Sequence, residues 1–549
     1  MKRVNAETLL SGMTLRDKIG QLLLVGFHGT DVTDELRSLI AEARVGGVIL
    51  FARNVESPAQ VARLTASLQR IAEEAGLPPL WISIDQEGGM VARLTEGVAL
   101  MPGGMALGAT GDPSCAYEAA YVSGKELRAL GINMNYAPVL DVNNNAANPV
   151  IGVRSYGEDP ERVAAFGVQA IRGYADAGVA ATAKHFPGHG DTSVDSHLAL
   201  PVVGHDRERL ERVELAPFRR AIEEGVDLIM TAHIHFPAIE PNGLPATLSP
   251  AALTGLLREE LGYEGVITTD CMEMKAIADT YGTVEASVLA VAAGADQVLI
   301  SHTESLQRGA LAAIEAAVAS GRLRAEAIEA SALRSLRLKL ARGLWAPAAA
   351  PLADVGCAAH LDSARRISER SVTLVRCARE ALPLRRGPTL AVTVAGGALT
   401  IADESVQPSV TLGSALRALG LEDCRDVVVE TSPSDESIAR AVAAAREGGW
   451  SQLVVGVYNA AFHPAQARLV RGLREAAASA AVPLVVVALR NPYDLALFPD
   501  ADALVAAYEN RPLSLASAAK ALLGLTPFRG ALPAAISEAY PAGWRWGGA

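Results

Sequence analysis

The sequence predicts an α/β protein in which an N-terminal (β/α)8 barrel of the TIM type precedes a C-terminal αβα sandwich with a largely parallel sheet. Residues 1 to about 340 alternate eight short apolar runs with segments of helical periodicity. Continuous apolar runs are typical of parallel strands that are buried on both faces. Polar residues gather at one end of these runs, and a second α/β pattern follows a stretch rich in Ala and Pro. Together these three observations favour a barrel followed by a sandwich.

The eight apolar runs are predicted to be the barrel strands, and amphipathic segments such as 58–74 and 160–177 are predicted to be the helices between them. Most of these segments end before a Gly, which suits the position after a helix C-terminus. The predicted strands comprise residues 21–27, 47–51, 80–85, 133–141, 179–185, 228–234, 265–270 and 297–301.

Polar side chains follow the apolar runs at their carboxyl ends, whereas the opposite ends carry mainly Gly and small residues. In (β/α)8 barrels, chemistry takes place at the carboxyl ends of the strands. The asymmetry therefore predicts that the first domain is an enzyme. The polar residues at these ends are Arg53, Asp85, Asp141, Lys184, His185, His233, Asp270 and His302.

The chain is predicted to divide into a catalytic barrel over residues 1–341, a linker over 342–365 and a sandwich domain over 366–549. The linker is rich in Ala and Pro, which is typical of a connecting segment. The sandwich carries no motif comparable to those of the barrel. Its isolated polar residues His463 and Glu509 are interpreted as surface features. Its predicted strands comprise residues 388–394, 426–430, 452–458, 483–489 and 503–507.

The composition argues against several classes of function. The net charge of -12 and the pI of about 5.4 do not suit a surface for nucleic acid or for anionic membranes. Five scattered cysteines without a CxxC pair predict reduced thiols. No apolar run approaches the roughly 18 residues of a membrane span, and no signal peptide is recognisable. We therefore expect a soluble, cytoplasmic protein.

One stretch, residues 184–197, concentrates polar chemistry on a scaffold of Gly and Pro. It holds three His, two Asp and one Lys, and an apolar run leads into it. Pro187, Gly188 and Gly190 prevent a regular continuation of that strand. The pattern predicts a loop that presents polar side chains at the end of the fifth barrel strand.

Three interpretations of the polar residues remain open from local chemistry. Asp270, at the end of a predicted strand, is placed either for nucleophilic attack or as the N-cap of the following helix. Asp195 and His197, two residues apart, are either a proton-transfer pair or a turn with a solvated His. The types of the loop residues also suit zinc, but their spacing matches no standard ligand signature, so no metal is predicted. The four candidate ligands are His185, His189, Asp191 and His197.

Four motifs carry a resemblance to a known family. They are residues 84–89 (Ile-Asp-Gln-Glu-Gly-Gly), 135–142 (Asn-Tyr-Ala-Pro-Val-Leu-Asp-Val), 154–157 (Arg-Ser-Tyr-Gly) and the stretch 184–197. In this order they resemble glycoside hydrolase family 3, and within it the two-domain type of the bacterial β-N-acetylglucosaminidase (β-N-acetylhexosaminidase) branch of peptidoglycan recycling. The chain departs from many relatives at Met90, where they carry Arg, and at Thr268-Thr269 before the aspartate.

The resemblance implies a retaining mechanism through a covalent glycosyl-enzyme. It implies that Asp270 is the nucleophile, that His197 is the acid/base and that Asp195 is its partner. It further implies that no cofactor or metal takes part, and that His189 shapes the loop. The residues that it implies bind the terminal N-acetylglucosamine are Asp85, Arg93, Arg154, Lys184 and His185.

The function implied by the resemblance is the exo-acting release of terminal β-linked N-acetylglucosamine from muropeptides or chitooligosaccharides. One alternative is a β-N-acetylglucosaminide phosphorylase, since an imidazole does not repel an incoming phosphate as a carboxylate would. Others are a broader β-glucosidase and a non-catalytic sugar-binding protein. The expected partner is the glycoside substrate, with no nucleic acid or membrane, and the expected assembly is a monomer or a homodimer.

Overall fold

The computed structural model describes residues 5–347, 350–378, 380–397 and 410–547. Its first part is a closed barrel of eight parallel strands, which confirms the predicted fold class. The order around the barrel is β1-β2-β3-β6-β7-β8-β9-β10, and β10 pairs with β1. The strands of this part are β1 (Leu23–Gly26), β2 (Gly47–Leu50), β3 (Trp81–Ile84), β4 (Gln86–Gly88), β5 (Val91–Ala92), β6 (Met134–Asn135), β7 (Ala180–Phe186), β8 (Leu228–Thr231), β9 (Val266–Cys271) and β10 (Gln297–Ile300).

Helices surround the barrel, and two of them, α4 and α7, have the predicted bounds because their N-terminal signals are strong. Ser57 precedes Pro58 and accepts a hydrogen bond from Gln60, while Asp159 precedes Pro160 and caps in the same way. The helices of this part are α1 (Ala6–Ser11), α2 (Leu15–Gly20), α3 (Asp34–Ala43), α4 (Pro58–Glu74), α5 (Gly104–Ala109), α6 (Ser114–Ala129), α7 (Pro160–Ala177), α8 (Arg207–Arg212), α9 (Ala216–Glu223), α10 (Lys275–Tyr281), α11 (Thr283–Ala293), α12 (Glu304–Ala319) and α13 (Ala325–Ala341), with a π-helix at Ala251–Glu260.

The fourth barrel strand is much shorter than predicted. Only Met134–Asn135 pair as a strand, and Val139 adds an isolated bridge to Lys184. Pro138 has no N–H for a strand ladder, so the regular strand ends before it, although the carbonyls of Ala137 and Pro138 still accept hydrogen bonds from Thr182 and Lys184 of β7. The residues that follow form a long loop over the carboxyl end of the barrel. Strands β4 and β5 form a separate antiparallel hairpin above the same end.

The second part is a six-stranded sheet with the order β11-β16-β15-β14-β12-β13. All neighbouring pairs are parallel except β11 with β16, so the prediction of a largely parallel sheet is confirmed, although the edge strand β11 is not among the predicted strands. Helices α14 and α15 pack against α18, and α16 packs against α17. The elements are β11 (Thr373–Cys377), β12 (Thr389–Val394), β13 (Cys424–Val429), β14 (Gln452–Val457), β15 (Leu484–Ala488), β16 (Ala503–Ala506), α14 (Ala358–Ser371), α15 (Leu412–Ala418), α16 (Asp435–Arg446), α17 (Ala465–Ser479) and α18 (Pro512–Leu522).

The predicted linker, 342–365, includes residues 348 and 349, which lie outside the described residues. So do 1–4 of the predicted barrel and 379, 398–409, 548 and 549 of the predicted sandwich domain. Within the described remainder, a 3-10 turn covers Leu352–Asp354 and α14 begins at Ala358. The division into a barrel, a linker and a sandwich domain stays a prediction. No helix in the described ranges is both long enough and apolar enough to cross a bilayer.

The interpretation of Glu509 as a surface residue is wrong. Its side chain is buried, with 6% of the residue exposed, and its carboxylate accepts a hydrogen bond from the backbone N–H of Gly103 in the barrel part. Burial raises the pKa of Glu509 to about 7, although the hydrogen bond from Gly103 opposes this shift. Position in the sequence could not reveal this contact, because the two residues are about four hundred positions apart.

Candidate active site

A cavity of about 470 Å³ opens at the carboxyl ends of the barrel strands. Seven of the eight predicted site residues line it, and the eighth, Asp195, is hydrogen-bonded to one of them, His197. Residues that are up to 185 positions apart in the sequence therefore come together at one place, as Asp85 and Asp270 do. The predicted residues in the lining are Asp85, Arg93, Arg154, Lys184, His185, His197 and Asp270.

One wall of the cavity is an ion-pair network formed by Asp85, Glu87, Arg93, Arg154 and Lys184. The Lys184 ammonium lies 2.8 Å from Asp85 and 2.7 Å from Glu87. The Arg154 guanidinium donates two hydrogen bonds to Glu87, at 2.9 and 2.7 Å. Arg93 lies 3.5 Å from Asp85. Charged side chains that are paired in this way keep fixed positions, which suits the recognition of sugar hydroxyls.

The buried carboxylate of Glu87 is the centre of this network, and it was not predicted as a site residue. Burial alone would raise its pKa, but the charges of Arg154 and Lys184 hold the pKa well below its ordinary value. The same pairing raises the pKa of Lys184 against the effect of burial, through Asp85 and Glu87. Glu87 and Lys184 are therefore both ionised near neutral pH. The only signal in the sequence was the position of Glu87 two residues after Asp85.

Asp141 orients the histidine at the end of β7. Its carboxylate lies 2.7 Å from Nδ1 of His185 and accepts hydrogen bonds from the backbone N–H groups of His185 and His189. Burial opposes ionisation of Asp141, but the neighbouring His185 lowers its pKa. Because Nδ1 of His185 faces this carboxylate, Nε2 is the ring atom left for the cavity.

Asp195 and His197 form a close pair on the loop that follows β7. Nδ1 of His197 lies 2.7 Å from Asp195 Oδ1, which also accepts the backbone N–H of His197 at 2.8 Å. Burial of Asp195 would raise its pKa, but the hydrogen bonds from His197 lower it, so the carboxylate stays charged. The arrangement fixes the imidazole and leaves Nε2 for proton exchange at the cavity.

The loop between β7 and this pair is held by His189 and Asn148. The ring of His189 contacts Thr192 Oγ1 at 2.8 Å and Ser196 Oγ at 3.1 Å. Asn148 donates to the carbonyls of His189 and Gly190, both at 2.9 Å. Burial lowers the pKa of His189 to about 4, so its ring is neutral near neutral pH. These contacts support the expectation that His189 shapes the loop.

Asp270 lies at the end of β9, where it is partly exposed in the lining of the cavity. Its carboxylate accepts a hydrogen bond of 2.7 Å from the backbone N–H of Cys271. Burial would raise its pKa, but His233, His185 and His197 lower it, which favours the ionised form. Helix α10 begins later, with Met274 as its N-cap, so the interpretation of Asp270 as a helix cap is wrong.

Next to the ion-pair network, the lining of the cavity is partly aromatic, and the Arg93 guanidinium lies over the Phe51 ring at 5.5 Å. The Arg53 guanidinium lies over the Phe51 ring at 4.3 Å, and the His302 ring lies 5.3 Å from the same ring. Arg53 also donates to the carbonyls of Phe27 and Ser301. Phe51 belongs to a predicted strand. The sequence does not show whether an aromatic residue at such a position lines a cavity or packs in the hydrophobic core.

The four residues considered as zinc ligands do not converge. Asp191 points to His205, with 2.6 Å between Oδ2 and Nε2, while His189 and His197 contact other partners. Among the described residues, Asp191, His205 and Glu214 are the one group with three potential ligand atoms close together. The Arg209 guanidinium lies 3.8 Å from Asp191 and 3.3 Å from Glu214, so a positive charge is already present there.

Comparisons with known proteins identify a family and several similar proteins. The family model described as "Glycosyl hydrolase family 3 N terminal domain" matches residues 14–338. The chain is 41% identical over 333 residues to "Beta-hexosaminidase A" of Pseudoalteromonas piscicida, which covers 56% of this chain and 56% of that protein. It is 40% identical over 291 residues to a "Beta-hexosaminidase" of Alkalilimnicola ehrlichii, covering 52% of this chain and 82% of that protein.

A solved structure matches nearly the whole chain. It is described as a glycoside hydrolase family 3 beta-N-acetylglucosaminidase from Paenibacillus sp., with 50% identity and a TM-score of 0.90. The match covers 96% of this chain and 99% of that one. By contrast, this chain spans little more than half of the length of the Pseudoalteromonas relative. The similarity thus includes both the barrel and the second part in the Paenibacillus structure.

Proposed function

The chain belongs to glycosyl hydrolase family 3, and on that premise we propose that it is an exo-acting, retaining β-N-acetylglucosaminidase. The family resemblance predicted from the motifs is thereby confirmed. The observation that carries the proposal is the convergence of an ionised carboxylate, Asp270, and a carboxylate–imidazole pair, Asp195 and His197, on one cavity. These are the two kinds of group that a retaining glycosidase needs.

Binding of the terminal sugar is assigned to the ion-pair network and to His185. Lys184 and Arg154 donate hydrogen bonds to sugar hydroxyls, Asp85 accepts them, and Arg93 supports Asp85. The sugar is neutral, so these groups act by orienting it rather than by matching its charge. In the proposed binding mode the non-reducing end enters the cavity first, with the anomeric carbon toward Asp270, which lines the same cavity.

In the first chemical step, the Asp270 carboxylate attacks the anomeric carbon while the protonated Nε2 of His197 gives its proton to the leaving oxygen. The glycosidic bond breaks and a glycosyl ester forms on Asp270. In the second step the neutral His197 removes a proton from water, which attacks the anomeric carbon and releases Asp270. Two inversions give net retention. Asp195 stabilises the imidazolium in both steps.

The substrate is proposed to be a muropeptide fragment or chitooligosaccharide with a terminal β-linked N-acetylglucosamine. The printed names of the similar proteins, beta-hexosaminidase and beta-N-acetylglucosaminidase, support this substrate class. The five cysteines are all free thiols, which suits a reducing compartment. We therefore propose a cytoplasmic role in peptidoglycan recycling.

Phosphorolysis is the second candidate function, because the proton-transfer group at the cavity is an imidazole and not a second carboxylate. The test is an assay with aryl β-N-acetylglucosaminide and aryl β-glucoside, each with and without inorganic phosphate. We expect release of free N-acetylglucosamine without phosphate, a much slower reaction of the glucoside, and loss of turnover in Asp270→Asn. A phosphate-dependent rate with sugar 1-phosphate as the product would replace hydrolysis by phosphorolysis.

A further inference from the structure

We propose that the second part of the chain, α14–α18 with β11–β16, positions the sugar-binding wall of the barrel through Tyr493, Glu509 and Arg511. The three side chains reach into the two barrel loops that carry Glu87 and Arg154. The inference rests on the proposed function, since it concerns the binding of the same sugar. It assigns positioning residues to a part of the chain in which the sequence shows no catalytic motif.

The two parts share a hydrophobic core at this place. Met90, in the turn between β4 and β5, is buried against the residues of the second sheet, and so is Val153, the neighbour of Arg154. Met105 and Ala109 of α5 belong to the same cluster. Met90 is only 4% exposed, so an apolar residue suits this position. The apolar contacts bring both sugar-binding loops against the second part.

Arg511 holds the turn of the β4–β5 hairpin. Its guanidinium donates to the carbonyl of Gly89 at 2.9 Å and to that of Met90 at 3.3 Å. Gly88 and Gly89 have φ values of 97° and 56°, and a Cβ on Gly89 would lie 2.9 Å from Glu509 Oε1. The turn thus has no space to shift toward the second part. Because Glu87 lies in β4, a fixed turn fixes its carboxylate.

Glu509 acts on Arg154 through helix α5. Its carboxylate accepts a hydrogen bond of 2.5 Å from the N–H of Gly103, the N-cap of α5. At the next residue, Gly104, an added Cβ would lie only 2.1 Å from the carbonyl oxygen of Arg154. The backbone of α5 is therefore in direct contact with that of Arg154. A displacement of α5 would move the guanidinium that pairs with Glu87.

Tyr493 reaches Arg154 by a second route. Its hydroxyl accepts a hydrogen bond of 3.0 Å from the Asn143 amide, and the amide oxygen of Asn143 accepts the N–H of Gly152 at 3.0 Å. Gly152–Arg154 form a single 3-10 turn. Tyr493 thus supports this turn through Asn143, independently of α5.

The catalytic groups are held differently. Asp270 is hydrogen-bonded to Cys271 next to it on β9. Asp195 and His197 are hydrogen-bonded to each other on the β7 loop, which is anchored by Asn148 and by the close approach of Gly190 to Val142. Loss of the contacts from the second part should therefore disturb sugar binding more than bond cleavage. A uniform loss of ground-state and transition-state binding appears as an increase in KM at nearly constant kcat.

The experiment compares full-length variants with an aryl β-N-acetylglucosaminide. Tyr493→Phe removes only the hydroxyl contact, and we expect KM to rise about five-fold, as for the loss of one buried hydrogen bond. Glu509→Ala should raise KM further, while Glu509→Gln, which keeps an acceptor oxygen, should stay near the wild-type KM. In each variant we expect kcat to change by less than about two-fold.

Two variants serve as controls. Tyr508→Phe removes a buried tyrosine hydroxyl that bonds Thr373 inside the second part, and Arg370→Ala removes an ion pair with Asp112 between the two parts but away from the cavity. Both should retain the wild-type KM, and thermal melting checks that every variant is folded. An unchanged KM in Tyr493→Phe and Glu509→Ala, or an equal increase in the controls, would overturn the proposal.

A failure of the proposed function is distinguishable from a failure of this inference. If the wild-type protein does not cleave the glycoside, the proposed function falls, and calorimetric titration with N-acetylglucosamine becomes the measurement. Weaker sugar binding in Tyr493→Phe and Glu509→Ala than in the controls would still support positioning. Equal affinity in all variants, or no binding to the wild type, would refute it.

Discussion

Two buried carboxylates, Glu87 and Asp141, organise the basic side chains of the cavity without being predicted to touch the reacting atoms. Glu87 fixes Lys184 and Arg154, and Asp141 fixes the ring of His185. Removal of one partner from such a buried pair leaves an uncompensated charge, which costs about 3–5 kcal/mol. The conformations of Lys184, Arg154 and His185 therefore depend on the carboxylates of Glu87 and Asp141.

The acid/base role proposed for His197 predicts a dependence on the leaving group. In His197→Ala we expect the rate on a phenyl β-N-acetylglucosaminide, a poor leaving group, to fall about 10²–10⁴-fold, because no acid protonates the departing oxygen. A dinitrophenyl group leaves without protonation, so its glycosylation step should lose much less. Steady-state and pre-steady-state rates on both substrates measure the difference.

The control for this change is His463→Ala, a half-buried histidine in the second part, which should keep the wild-type rates on both substrates. Equal losses for the two leaving groups in His197→Ala would contradict the acid role. Asp195→Asn should show the same pattern as His197→Ala but weaker, since the imidazole remains and loses only its charged partner.

The predicted site residues that line the cavity could be named from the sequence because they stand in short motifs, and Asp85, Lys184, His185 and Asp270 stand at strand ends. It was harder to predict the contacts of Glu87, Asp141 and Tyr493 from the sequence. Their contacts join positions that are 67, 44 and 350 residues apart, and such pairings depend on the folded chain rather than on local pattern. Asp141 was recognised as a polar strand end, but its orienting contact with His185 could not be derived.

At the scale of elements, the loop after β7 is shaped by close backbone contact. Gly190 lies so near to β6 and its following loop that an added Cβ would be 1.8 Å from the carbonyl oxygen of Val142. Asn148 binds the same stretch through its amide. The loop is thus anchored midway between the end of β7 and His197.

The contact at Gly190 predicts that Gly190→Ala displaces Asp195 and His197, the proposed acid/base pair. We expect kcat to fall by about ten-fold or more, since small misplacements of catalytic groups are costly. Gly204→Ala is the matched control, because a Cβ there meets no atom within 4 Å. Kinetics and melting curves of both variants decide the matter, and a wild-type kcat in Gly190→Ala would show that the loop tolerates the shift.

Element boundaries could be predicted where capping chemistry is local. Helices α4 and α7 begin at Ser57-Pro58 and Asp159-Pro160, and both were predicted to the residue. The length of the fourth strand was overestimated because the apolar run continues past Asn135, whereas the regular strand pairing ends there. Strand β11 was missed, since its place at the sheet edge depends on antiparallel pairing with the distant β16.

At the scale of the whole molecule, one buried lysine closes the amino end of the barrel. The ammonium of Lys339, on α13, donates to Gln21 Oε1 and to the carbonyl of Gly46, both at 2.8 Å. The residue is fully buried, and burial lowers its pKa to about 7. Folding therefore favours the neutral form of this side chain.

The lowered pKa of Lys339 predicts that stability rises with pH. Between about pH 7 and about pH 10 the unfolded chain binds one more proton than the folded protein, so the free energy of unfolding increases by at most about 1.4 kcal/mol per pH unit. Lys339→Met should remove this contribution, and Lys125→Met on α6 should not. Denaturant unfolding at several pH values measures it; identical slopes in the wild type and Lys339→Met would contradict the prediction.

The burial of Met90 has a consequence for engineering. In a truncated barrel without the second sheet, Met90, Met105 and Val153 would be exposed to solvent as one hydrophobic patch. Such patches promote aggregation. A truncated barrel therefore needs polar substitutions in that patch, or another element packed over it. Only then can an assay of the truncated protein report on activity rather than on aggregation.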